Sequence, residues 1–182
     1  MVWLLTTQAI IAPMTTSPLQ DAFDHHVWAT LRILDACDPL SPEQLTTTVP
    51  GTYGSILDTL RHTVGADARY LWVLTDGRRS QIDEDSMDVP ALRAAIVDNG
   101  PMWNDLLAQS QDMSRMVVVR RDDGSSGHAP LSVRLAQAIH HGTDHRSQIC
   151  TALTALGIEP PEIDVWAYGF EDGRVFETTP PA

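Results

Sequence analysis

The chain has 182 residues, of which 43% are hydrophobic and 20% charged, the balance of a folded globular protein rather than a disordered one. Its formal net charge of −12, with no cluster of basic residues, argues against nucleic acid and against acidic membrane surfaces as partners. Two cysteines far apart in sequence, Cys37 and Cys150, make neither a disulfide framework nor a CxxC pair, so a reducing cytoplasm is the expected setting.

The first sixteen residues include an apolar run from Met1 to Ala12 without a basic leader, too short to span a bilayer. They read as a disordered or adventitious extension, with Met14 as an alternative start, and residues 17–182 as one helical-bundle domain. The first helix opens cleanly: Ser17 can cap, Pro18 suits the first helical position and Asp21 falls in the first turn. Leu19, Phe23, His26, Val27, Thr30, Leu31 and Leu34 then recur at helical spacing to about Cys37, and Pro39 and Pro42 end the pattern. The second helix starts near Ser55 and ends by Asp76-Gly77. The short link before it suits antiparallel neighbours.

A polar stretch from Arg78 to Asp88 follows, its cluster Asp83-Glu84-Asp85 expected to be a solvated loop. A third helix begins near Pro90, and Asn99-Gly100-Pro101 should kink or split it. Met116–Arg120 has strand character and Asp122–Gly127 is rich in turn formers, which together predict a small β-hairpin. His128 sits in this linker and carries little weight. The last long helix runs from Leu131-Ser132 to Leu156, with Gly157 as its cap. The tail is expected to pack across the bundle through Trp166 and Tyr168. Four helices without sustained strand alternation imply an all-α, four-helix bundle, antiparallel or mixed; the links after the second and third helices are long enough for crossovers.

The chemistry concentrates in Ile139-His140-His141-Gly142-Thr143-Asp144-His145-Arg146-Ser147-Gln148. His141 and His145, four apart on a helix, point from one face about 40° apart, at the shoulder of the apolar stripe. Two such imidazoles can grip one divalent cation. His62, in Leu60-Arg61-His62, is the best candidate for a third ligand, leaving an open position for water or substrate. Cys150 points away from His141 and is excluded. His26 shares a face with Phe23 and Thr30, where it could be a fourth ligand, a base or a polar lining residue. Arg134 and Gln148 lie within about 20° of His141 and could orient a substrate. His26, Arg134 and Gln148 are thus the catalytic candidates, and Asp67 is a carboxylate that could orient His62 or lie elsewhere on the second helix.

Taken together, His26-Val27-Trp28, Leu60-x-His62 with Asp67, His141-x-x-x-His145-Arg146-x-Gln148, Leu156-Gly157-Ile158-x-Pro160-Pro161 and Asp164-x-Trp166-x-Tyr168-Gly169 resemble the DinB/YfiT-like superfamily from about Pro18 to Gly169. The resemblance implies an up-down-down-up bundle, often a homodimer, holding a divalent metal on three side chains that match His62, His141 and His145. It also implies relatives that include thiol-dependent S-transferases, a mycothiol-dependent maleylpyruvate isomerase and many members of unassigned activity. Ser147 and Asp144 depart from the pattern, where relatives usually carry Gly and often a further His.

The expected function is therefore a metal-dependent transferase that activates a low-molecular-weight thiol for transfer to a small electrophile. The alternatives are a hydrolase using metal-bound hydroxide and a non-catalytic metal- or ligand-binding bundle. Zinc suits three imidazoles, and nickel, iron or cobalt would also be accepted.

Overall fold

A computed structural model describes residues 17–178; the apolar N-terminal run and the proposed extension lie outside them. Four long helices carry the fold: α1 (Pro18–Cys37), α3 (Ile56–Leu74), α4 (Val89–Ala108) and α5 (Leu131–Ala155). The short α2 (Pro42–Leu45) follows α1, and a 3-10 turn at Glu84–Ser86 precedes α4. Strands β1 (Met116–Arg120) and β2 (Ser126–Pro130) form a hairpin, and α6 (Val165–Glu171) closes the described chain. The protein is all-α with one antiparallel hairpin, in which Met116 pairs with Pro130 and Arg120 with Ser126.

The helix starts are written locally. Ser17 accepts from the Gln20 N–H with Pro18 behind it, Ser41 and Ser55 each form capping boxes, and Asp88 accepts from the Ala91 N–H. Gly157, at φ +73°, takes the left-handed turn that ends α5.

Around the bundle, α1 packs on α4, α4 on α3, α3 on α5 and α5 on α1. Helices α1 and α3, consecutive in the bundle, therefore stand diagonally. The expected hairpin between them does not form because residues 38–55, with α2 and a bridge from Thr48 to Ser55, carry the chain across the bundle end. Paired contacts give the directions. Asp35 meets Arg93 and Gln20 meets Asn104, so α1 and α4 are antiparallel. His62 meets His141 while Tyr70 meets Gln137, so α3 and α5 are antiparallel. Arg61 meets Met87 while Asp67 meets Asn99 and Trp103, so α3 and α4 are parallel. The order is up-down-down-up.

Helix α4 continues through Pro101 and is not split there. Leu92, Ile96, Trp103 and Leu106 are all buried. Burying four large side chains, at about 1.5–3 kcal/mol each, outweighs the roughly 3 kcal/mol that an internal proline costs. The core has two apolar halves. One gathers Ile33, Leu34, Ile56, Leu60, Ile96, Ile149 and Leu153. The other gathers Phe23, Leu71, Trp103, Leu131 and Leu135. The tail packs through Tyr168, whose ring lies 5.5 Å from Trp28. Trp166 departs from expectation, being 70% exposed. On a helix of seven residues, two positions apart, the two rings cannot share a face. Among the described residues, no helix is long and apolar enough to cross a membrane.

Candidate metal centre

Between the two apolar halves lies a layer of buried polar groups, and its wiring decides what each histidine can do. The Asp67 carboxylate receives His26 Nε2–H at 2.9 Å, Asn99 Nδ2–H at 2.7 Å and Trp103 Nε1–H at 3.1 Å. On its other side, His26 Nδ1 accepts from Arg146 Nη1 at 3.1 Å. Arg146 Nη1 also reaches Thr30 Oγ1, and Nη2 reaches Thr143 Oγ1. Burial pulls the Arg146 pKa down to about 10, with Asp67 opposing that pull, so it still carries a cation here. Four helices thus meet in one satisfied network holding a carboxylate and a guanidinium. Gly142 makes the closest approach possible: a Cβ there would collide with the His26 ring and Arg146.

This wiring corrects two expectations. His26 cannot be a fourth ligand, because one ring nitrogen donates to Asp67 and the other accepts from Arg146. Asp67 does not orient His62; it faces α1 and α4. Both placements share one cause, the diagonal standing of α1 and α3, which turns His26 and Asp67 toward each other through the bundle centre.

One step outward, His62, His141 and His145 come together. His62 Nε2 lies 3.1 Å from His141 Nε2, and His145 Nε2 lies 3.2 Å from that same atom. One ligand atom from each of the three falls within 4.8 Å of the others. A tetrahedral cation with bonds of about 2.0–2.1 Å needs nitrogens about 3.3 Å apart. The three histidines are positioned to hold a divalent metal ion, and among the described residues no other three His, Cys, Asp or Glu side chains converge so.

The second ring nitrogen of His145 is set for the task. Gln148 Oε1 accepts from both His145 Nδ1 and the Tyr53 backbone N–H, each at 3.0 Å. Since the backbone amide can only donate, the oxygen of Gln148 faces His145, whose proton then sits on Nδ1 and whose Nε2 presents a lone pair. Gln148, expected to orient substrate, here aims a ligand. The Tyr53 ring stacks on His62 at 4.1 Å and 10°, a cover over the site that is itself 56% exposed. Burial, then the charges of His145 and His62, lowers the His141 pKa to about 4; burial and His145 lower that of His62. Both are neutral ligands at pH 7.

A match to the family model described as the DinB family spans residues 14–174. The chain belongs to the DinB family. No curated protein matches it. Within this DinB-family bundle the remaining candidates sit elsewhere. Arg134 Nη2 donates to the carbonyls of Gly127 and Val117 on the hairpin rather than turning toward the imidazoles. Equal helical angle does not mean equal height: Arg134 lies two turns below His141. Cys150 is half-buried and not among the ligand atoms.

Sequence reasoning passed over several residues. Glu84 is not part of a solvated loop; it is half-buried, its carboxyl seated where Gly65 has no side chain, and burial raises its pKa. It joins His62, Ala66, Arg69 and Ile82 around a cleft of about 320 Å³. A glycine three residues after His62, on a helix face shared with Arg61 and Arg69, is the available signal. For Tyr53, Asn99 and Trp103, no local pattern announced a role.

Proposed function

We propose that the protein binds a divalent metal on His62, His141 and His145 and uses it to activate a low-molecular-weight thiol for transfer to a small electrophile. The observation that carries this is the convergence of three imidazole nitrogens beside an open cleft. A bound divalent ion would supply Lewis acidity, holding a thiol as thiolate at neutral pH.

The protein's own groups fit the remaining tasks. Gln148 locks the tautomer of His145, and the Tyr53 ring shields one face of His62 from water. Among the described residues no fourth His, Cys, Asp or Glu joins the three, and His26 is committed to Asp67 and Arg146. An open position favours a catalytic over a purely structural ion. The cleft, lined by His62, Arg69 and Glu84, is of a size for small molecules. The thiol rests on the resemblance to thiol-dependent relatives.

The test is elemental analysis of protein purified without a histidine tag, followed by conjugation assays with small thiols and electrophiles. The expected result is near-stoichiometric divalent metal, and turnover that needs both metal and thiol and is lost in His141→Ala. Turnover without thiol would instead assign the site to hydrolysis. Protein that takes up no divalent metal would end the proposal.

A further inference from the structure

The hairpin and the lower part of the bundle enclose a cavity of about 350 Å³ that the metal centre does not use. It is lined by Arg69 and Tyr70 of α3, Arg121 after β1, His128 of β2 and Arg134 of α5. In a chain with twice as many acidic as basic residues, three of the twelve basic side chains face one cavity, and no carboxylate lines it. The guanidinium groups are close. From the position a Cβ would take on Gly127, Arg121 Nη2 lies at 3.1 Å and Arg134 Nη2 at 3.9 Å.

Like charges brought together repel, and such an arrangement is stabilised by a counter-charge. None lines the cavity among the described residues. Among the described residues, Arg69, Arg121 and Arg134 form no ion pair. Arg69 alone feels a carboxylate, that of Glu84 in the neighbouring cleft. Arg121 Nη1 donates to Ser125 Oγ, and Arg134 Nη2 donates to two carbonyls. Arg134 Nε–H is buried with no acceptor at all. A buried donor left without an acceptor costs about 1–3 kcal/mol, which an anion seated here would recover.

We propose that Arg69, Arg121, Arg134 and His128 form a binding site for a small anion, the carboxylate or phosphate group of a small molecule. Planar guanidinium groups match both oxyanions through paired N–H donors. The site also borders the metal centre. Arg69 lines both the cavity and the cleft that holds His62, and the next residue, Tyr70, puts its ring 5.9 Å from that of His141. An anionic tail held at the hairpin would point the rest of a small molecule toward the three imidazoles.

Inorganic phosphate and succinate, each titrated calorimetrically into the full chain against chloride of matched ionic strength, test this. Titrations are run on the protein as purified and again with chelator, so that anion binding at a metal is separated from binding at the arginines. Saturable binding that survives chelation is expected. Arg121→Gln should weaken it about tenfold, the loss of one charge-assisted contact. Arg120→Gln, which removes the same charge outside the cavity, should leave it unchanged. Whichever of the two probes binds more tightly identifies the oxyanion class. Binding no tighter than chloride, equal loss in both variants, or loss on chelation would overturn the proposal. Arg134→Gln is a supporting variant, and the exposed Arg121 keeps the test valid if that variant does not fold.

Discussion

Two groups of histidine lie within a few ångströms of each other in this bundle, and they are wired in opposite ways. His26 is buried with both ring nitrogens spoken for, between a carboxylate and a guanidinium. His62, His141 and His145 turn three Nε2 atoms toward one point, where His141 Nε2 could share a proton with only one neighbour. Burial alone does not separate the groups, since His145 is buried as well as His26. What separates them is whether the lone pairs are already used. A polar group whose partners are all protein holds the fold together; one whose lone pairs face a shared gap is built to receive something.

The sharpest way to break this contrast is substitution on each side. Asp67→Ala should destabilise the fold by about 3–5 kcal/mol, since it strands His26, Asn99 and Arg146 in the interior. Its melting temperature, with and without chelator, should fall equally. His141→Ala should do the reverse, abolishing metal uptake while the chelated protein melts near wild type; equal effects in both variants would erase the distinction.

Gly142→Ala sharpens the comparison from the backbone. The new methyl meets the His26 ring and Arg146, and because these are locked by their own bonds the expected cost is about 1–3 kcal/mol, read by chemical denaturation. Gln148→Leu tests orientation within the open group. It should lower metal affinity about 10–100-fold with little change in stability of the chelated protein, as competition with a metal-binding dye would show.

The smallest effect is on pH dependence. The His141 pKa lies near 4 in the folded protein against 6.5 for the free side chain, so below about 6.5 the unfolded chain binds the proton first. Its contribution to stability is therefore complete above 6.5 and lost as pH falls toward 4. Chelated wild type should show a steeper drop in melting temperature over that window than chelated His141→Gln.

These contrasts explain what could be read in advance. Ser17, Ser55 and Gly157 mark helix ends because capping is settled within a turn of chain. The pair His141 and His145 is likewise local, four residues on one helix. His62 is separated from them by 79 residues, and only the assumption of a bundle placed it nearby. The diagonal standing of α1 and α3 is not written in any segment, and the roles of Asp67 and His26 follow from it. The surroundings of Arg134 and His128 are not legible for a related reason: they are made by a hairpin that folds back onto α3 and α5, a contact without periodicity.

The parallel run of α3 and α4 has a geometric corollary. A helix of nineteen residues is about 28 Å long, so residues 75–88 must travel that distance back before α4 can start. At about 3.3 Å per residue, roughly nine residues are needed for the trip, and the rest are slack. That slack is spent beside His62, where Ile82 and Glu84 form a wall of the cleft. Shortening the segment by more than a few residues would pull the wall flat before it strained the bundle. The shape of the cleft could therefore drift by insertion and substitution along this strip while the four long helices and the imidazoles they carry stay as they are.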